Sequence, residues 1–247
     1  MSAIYILWLR QLKRYFRSRS RMIGSLAQPL LFLLGLGFGF GPIYQRAGGG
    51  NYLQFLTPGI LAMTVMTTAV FSGIEIIWDR QFGFLKETLV APVSRLQIMI
   101  GRTLGGATVA LIQGLIVLLI SLFFGFQPKI FSLPLALLFM FLVALFFTAL
   151  GTAIASVLED FQGFQLIMQF LIMPLFFLSG ALFPLQGLPK VFTFIAAVNP
   201  LSFGVDGLRF SLINGTHFGL SVDFLVLAIL TTLVLAIGSF LFSKIEI

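Results

Sequence analysis

Cysteine is absent from this 247-residue chain, histidine occurs once, and only 9% of the residues are charged. The first absence removes disulfides and thiolate metal sites. The second leaves His217 without a second histidine, so one chain cannot assemble a histidine pair or a triad. In a loop beside Gly and Thr it reads as a solvated residue. The third absence sets the class. Soluble domains carry roughly 25% charged residues, whereas this chain is 59% hydrophobic with a mean hydropathy of +1.08. Such a composition cannot cover a protein surface in water. The chain is an integral membrane protein.

Other absences narrow the chemistry. No G-x-x-x-x-G-K-[ST] loop occurs, so nothing here cradles a nucleotide phosphate. The stretch "GLGFGFG" (35–41) lies inside an apolar run rather than between a strand and a helix. It reads instead as small residues, Gly35 and Gly39, spaced for close packing of transmembrane helices. "NGT" (214–216) fits a glycosylation acceptor only by a short and common pattern. Glu159 and Asp160 are neighbouring carboxylates in a short loop, where they read as solvated charges rather than metal ligands. No internal repeat or low-complexity tract is present, and the chain reads as one domain.

What is present is a set of six apolar runs long enough to cross a bilayer, which takes ~20 helical residues. They fall at 23–43, 56–77, 103–126, 133–157, 164–185 and 222–243. The first begins too late and runs too long for a signal-peptide core. Residues 1–22 precede it, and within them 3–16 predict an amphipathic helix. Ile4, Leu7, Trp8, Leu12, Tyr15 and Phe16 recur at helical spacing opposite Arg10, Lys13, Arg14 and Arg17. That pattern describes a helix lying in the membrane interface.

Alternate loops differ in basic residues. With the N-terminus inside, the cytoplasmic set is Arg10, Lys13, Arg14, Arg17, Arg19, Arg21, Arg80, Lys86, Arg95, Arg102 and Lys244. The outer set is Arg46, Lys129, Lys190 and Arg209. The excess of Lys and Arg marks the cytoplasmic side, so both termini are expected in the cytoplasm. The basic character also accounts for a pI near 10.3 without invoking nucleic acid, because juxtamembrane clusters are attracted to anionic lipid.

The middles of the six runs carry no charged residue, so a buried relay of the kind that couples transport to an ion gradient is missing. Energy for uphill movement must then enter from outside the membrane plane. Residues 78–102 are the place for it. "DRQFGFLKETLVAPVSR" (79–95) packs five charges into seventeen positions. Phe82, Leu85 and Leu89 fall on one helical stripe, with Arg80, Lys86 and Glu87 mainly away from it. Pro92 ends the helix near Ala91. Pattern alone leaves two readings open: a helix that receives a cytosolic partner, with Gly83 permitting close approach, or one that rests on lipid head groups. The outer 186–221 stretch holds "VFTFIAAV" (191–198), too short to span, then "NP" and a second short helix, which reads as a re-entrant or interfacial element.

Three stretches in order, "DRQFGFLKETLVAPVSR" with "GR" (101–102), "LSGALFPLQGLP" (178–189) and "NPLSFGVDGLR" (199–209), resemble the membrane subunits of ABC type-2 transporters. The likeness is greatest to the daunorubicin-type drug and nodulation lipo-oligosaccharide exporter branch, and it covers nearly the whole chain. It implies an all-α membrane fold of six spans with an N-terminal amphipathic helix, a cytoplasmic coupling helix and outer re-entrant helices before the last span. It implies that Asp79, Arg80, Phe82, Gly83, Leu85, Lys86, Glu87, Leu89, Pro92 and Arg95 form or flank the helix that docks on a separate ATP-binding subunit. ATP and Mg would be held there, with no cofactor, metal or catalytic residue on this chain. Asn199, Pro200, Asp206 and Arg209 would shape the outer re-entrant gate, where Asp206 and Arg209, three residues apart, are placed to pair. The implied assembly is a dimer exporting an amphipathic drug, lipid or glycolipid across the cell membrane. A membrane scaffold that only recruits a cytosolic partner is the alternative, with a channel third.

Overall fold

The computed structural model describes residues 3–84, 90 and 92–243, and every regular element among them is helical. Helix α1 (Ala3–Arg17) leads into α2 (Arg19–Phe32), which continues as a π-helical turn through Leu33–Phe38. A short α3 (Gly41–Arg46) precedes α4 (Tyr52–Ser72) and α5 (Ile74–Gln81). Beyond the loop come α6 (Arg95–Phe123), α7 (Leu133–Val157), α8 (Phe161–Phe177), α9 (Lys190–Val198), α10 (Pro200–Ile213) and α11 (Leu220–Ser243).

Local chemistry sets the helix starts. Asn51 caps α4 by accepting from the backbone N–H groups of Leu53 and Gln54, and Asp160 caps α8 by accepting from Gly163. Ser94 and Gln97 form a reciprocal capping box at the start of α6. Within the apolar helices, Thr57, Thr64, Thr67 and Thr108 turn their hydroxyls back onto carbonyls four residues earlier. Each hydroxyl is thereby satisfied within its own helix.

Among the described residues five stretches are long and apolar enough to cross a membrane: Arg19–Phe38, Tyr52–Gln81, Arg95–Phe123, Ile130–Val157 and Leu220–Phe242. The fifth expected span, 164–185, is helical only to Phe177, and the 17 residues of α8 rise ~26 Å, a little under a hydrocarbon core of ~30 Å. Its contacts nevertheless cover the full depth of α4–α5. At one end Phe161 stacks on Trp78, with ring centroids 6.0 Å apart. At the other, just beyond α8, the Leu182 carbonyl accepts from the Tyr52 hydroxyl at 3.1 Å.

Helix α4 sits at the centre, walled by α6, α7 and α10. It meets α7 backbone to backbone, since a Cβ on Gly151 would strike Val70 and one on Gly73 would strike Gly151. Small residues at such crossings let membrane helices gain dispersion contact where no hydrophobic effect drives them together. Gly35 and Gly39 do not serve this purpose within the chain. A Cβ at either meets nothing within 4 Å, and Gly37 is the glycine that abuts Leu53. The change of helical repeat across Leu33–Phe38 is the physical reason, because a π turn rotates the register away from four-residue spacing.

Helix α1 is not simply laid on lipid. Ile4, Leu7, Trp8, Gln11 and Tyr15 pack along α6, where Gly101 and Gly105 leave room for them. The Trp8 indole donates to Thr108 at 3.0 Å, and the Tyr15 hydroxyl donates to Gln113. Burial raises the Tyr15 phenol above its ordinary pKa, against an opposing pull from Arg21, so the hydroxyl remains a donor. At the far end of the chain Gly238 packs against Met99 and Ala153. The first helix therefore starts, and the last helix finishes, at the same end of the bundle as the loop before α6.

Candidate functional site

At that end the acidic residues of α5 are buried and paired. Asp79 keeps 1% of its surface exposed and accepts from Arg10 of α1 and Arg102 of α6, each at 2.6 Å, with Arg14 3.6 Å away. One turn earlier, Glu75 is paired with Arg14 at 3.4 Å and Arg21 at 3.3 Å. The Arg14 guanidinium also lies over the Trp78 ring, 5.5 Å from its centroid. One four-residue step on α5 is thus matched by one four-residue step on α1. Three helices and the root of α2 are joined through two carboxylates. Removing one member of such a buried set leaves an uncompensated charge, which costs far more than the net worth of the pair.

The residues expected to face a partner divide accordingly. Asp79 turns inward, as described. Arg80 donates to the carbonyls of Ser156 and Leu158 at 2.6 and 3.2 Å and approaches Glu159 at 3.9 Å, so it fastens α5 to the end of α7. Phe82, in contrast, is 71% exposed just beyond α5, and Gly83 follows at φ +80 with open space where a side chain would stand. Leu85, Lys86, Glu87 and Leu89 lie outside the described residues. Pro92 is exposed, and Arg95 opens α6 behind its capping box. The loop therefore hangs between two helices that Asp79 and Arg102 clamp together at its roots.

The opposite end of the bundle holds the other predicted residues. Helices α9 and α10 meet at a bend of 91°. Asn199 makes the bend: its amide donates to the Leu175 carbonyl at 2.7 Å while its oxygen caps α10 at Leu201, and Pro200 occupies the first helical position. Helix α10 then rises past Val143 and Phe139 of α7 until the Leu212 carbonyl accepts from Lys129. Asp206, 3% exposed, accepts from the Thr216 hydroxyl at 3.1 Å and from the backbone N–H groups of His217 and Phe218 at 2.8 Å. Arg209 donates to the Gly180 carbonyl at 2.9 Å and lies 4.1 Å over the Phe55 ring.

The expected Asp206–Arg209 ion pair is not formed. Each finds backbone partners in a different loop, which the spacing along one helix does not reveal. His217 is exposed, as a solvated loop residue would be; its backbone N–H donates to Asp206 and its ring meets Phe218 edge to face, with centroids 4.7 Å apart. Among the described residues no group of three or more metal-ligating side chains comes together.

Glu75 and Gln113 carry structure to which the sequence reading gave no part, and Tyr15 and Arg102 carry more than it gave them. The signal for Glu75 was present as spacing. Glu75 and Asp79 stand four apart, as do Arg10 and Arg14, which is the pattern of two helices exchanging charge across an interface.

Known proteins share this arrangement of sequence. Over 215 residues the chain is 32% identical to the ycf38 transport permease of Cyanophora paradoxa, a match covering 84% of this chain and 73% of that protein. Over 207 residues it is 33% identical to nodulation protein J of Rhizobium leguminosarum bv. trifolii, covering 83% and 76%. Nodulation protein J of Rhizobium meliloti is 29% identical over 205 residues, covering 81% and 78%. Residues 2–213, which run from α1 through the clamped loop to the end of α10, match the family described as ABC-2 type transporter. The chain is a member of the ABC-2 type transporter family, on the side that contains the ycf38 and nodulation protein J permeases.

Proposed function

We propose that this chain is the membrane-spanning subunit of an ATP-driven exporter, working as a dimer with two separate ATP-binding subunits. The observation that carries the reading is the clamp at the roots of the loop. Asp79 joins Arg102 and Arg10, so a push on the exposed Phe82–Gly83 corner cannot move α5 alone. It displaces α5, α6 and α1 as one body, and Arg80 extends that body to α7. A loop built only to rest on lipid has no need of such a rigid root. The segment 82–92 docks in a groove of the ATP-binding subunit, which holds ATP and Mg and performs the hydrolysis.

At the other end, Asn199, Pro200, Asp206 and Arg209 hold the bent α9–α10 pair as a re-entrant gate. The far end of α10 meets Lys129, and the bend reaches inward to Leu175. Apolar surface lines the approach along α8 and α9, including Leu166, Phe170, Pro174 and Phe194, which suits an amphipathic drug, lipid or glycolipid. Both termini face the cytoplasm of a cell membrane, on the strength of the basic residues gathered at that end.

The test is reconstitution in vesicles. The chain with its ATP-binding subunit should move a lipid-like cargo and hydrolyse ATP faster when cargo is present. The chain alone should hydrolyse none. Transport that stops when the proton gradient is collapsed at constant ATP would refute the energy source, and association without any transport would leave a scaffold.

A further inference from the structure

Two buried carboxyl groups meet where the chain passes from α10 into α11. Asp206 of α10 keeps 3% of its surface exposed, and Asp223, in the first turn of α11, keeps none. The two side chains lie within hydrogen-bond reach of each other. Neither has an arginine or lysine as ion-pair partner, unlike Glu75 and Asp79 at the other end of the bundle.

Their surroundings treat them unequally. Asp206 accepts from the Thr216 hydroxyl and from the backbone N–H groups of His217 and Phe218. Among the described residues no N–H or O–H donor reaches either oxygen of Asp223. Three donors favour the ionised form of Asp206, whereas a buried carboxylate with none is costly. Two ionised carboxylates in contact also repel. A carboxyl group that keeps its proton becomes a donor, and the neighbouring carboxylate is then its acceptor.

Other charge nearby supports that division. Arg209 on α10 is felt by Asp206 but spends its hydrogen bond on the Gly180 carbonyl, with Tyr44 beside it. Helices α4, α7 and α8, packed against α10, bring no charged side chain. Arg95 and Arg102 of α6 stand at the far end of the bundle, and Lys190 of α9 is exposed. Lys129 meets α10 at Leu212 through its backbone N–H, and His217 is exposed in the turn. The three donors aimed at Asp206 place hydrogens where a metal ion would need lone pairs, so the arrangement suits a proton better than a cation.

We propose that Asp206 and Asp223 form a proton-binding site in which Asp223 carries one proton and donates it to an ionised Asp206. The proton exchanges with water at this end of the bundle through the 214–219 turn, where exposed Thr216 places its hydroxyl on Asp206. While the proton is held, the pair latches α10 and the turn to the last span. Its release to water leaves two adjacent negative charges, which push α10 and α11 apart. Alkaline conditions therefore loosen the bent α9–α10 pair from α11. The inference requires only this fold, and it stands apart from the reading of ATP-driven export.

Infrared spectroscopy of the full chain in nanodiscs reads the proton directly, because a protonated carboxylic acid absorbs apart from carboxylates and shifts in heavy water. The wild type should show such a band at neutral pH, and Asp223→Asn should lose it. Glu75 and Asp79 are paired with arginines and Glu159 and Asp160 are exposed, so none of these four supplies the band. The melting temperature of the wild type should fall as pH is raised from neutral to alkaline. Asp223→Asn, whose amide donates to Asp206 with no proton to lose, should escape that fall, and His217→Gln should keep it. Absence of an acid band at neutral pH would overturn the proposal, as would a band that persists in Asp223→Asn. Calcium that raises the alkaline melting temperature of the wild type alone would make the pair a cation site instead. Should Asp223→Asn not fold, the wild-type band must still fade together with the melting temperature, and a band unchanged up to alkaline unfolding would refute the latch.

Discussion

Replacing Asp79 by Ala removes the carboxylate that Arg10 and Arg102 share. Arg102 is 4% exposed, so its guanidinium cannot recover the loss from water, whereas Arg10 on the outer side of the cluster can. Breaking a buried pair from one side costs about 3–5 kcal/mol. For a chain of this size, at ~2–4 °C per kcal/mol, the melting temperature should fall by roughly 6–20 °C. The molecule carries its own reporters, because its two tryptophans, Trp8 and Trp78, stand on α1 and α5 beside the cluster. Unfolding of the chain in nanodiscs, followed by tryptophan emission, reads the effect directly. Asp79→Leu/Arg102→Met removes both buried charges and should regain most of the loss, since apolar replacements of a whole buried pair are often neutral. An Asp79→Ala protein melting within about 2 °C of the wild type would refute the clamp. A double variant no better than the single one would show that Arg102 was never its dependent partner.

Five further outcomes are expected. Gly105→Leu places side-chain atoms where a Cβ already lies 2.6 Å from Gln11. It should loosen α1 at a cost of about 1–3 kcal/mol, seen as faster proteolysis near residue 17. Phe82→Ala/Leu85→Ala should lower recovery of the ATP-binding subunit about tenfold or more, with membrane expression retained. Gly83→Ala and Gly83→Trp share the strain of φ +80, so any greater loss with Trp in the same co-purification reports blocked approach. Asp206→Ala should free the 214–219 turn, each lost bond to the carboxylate being worth about 1.5–3 kcal/mol, with hydrogen exchange rising at His217 and Phe218. Cysteine introduced at Ser94 should be shielded from an impermeant thiol reagent in intact cells, while cysteine at Thr216 reacts; strong labelling at 94 would reverse the orientation.

Much of the plan was legible because membrane insertion imposes a one-dimensional code. A helix must hide its backbone from lipid for the full depth of the bilayer, so long apolar runs announce most spans. The bend at Asn199–Pro200 was legible too, since proline cannot continue the preceding helix. The site was read less evenly. Phe82 and Gly83 emerge at an exposed corner, yet Asp79 and Arg80, assigned with them to the docking surface, turn inward. Asp206 and Arg209, three apart on one helix, looked like a pair and instead serve two separate loops. Sequence spacing reports which face a residue occupies, not which loop folds back to meet it.

By itself, then, the amino-acid sequence determined the class and most of the long apolar helices. Composition and period are enough for those, because lipid offers every segment the same apolar solvent. Tertiary structure alone decided what the charges do. The basic residues before the first span look like a uniform cluster in sequence, but docking of α1 on α6 divides them. Arg10, Arg14 and Arg21 reach buried carboxylates, while Lys13 and Arg17 point into an open groove. The division follows from two glycines a hundred residues away: Gly101 and Gly105 let one stripe of α1 approach closely, and that contact fixes the direction of the other.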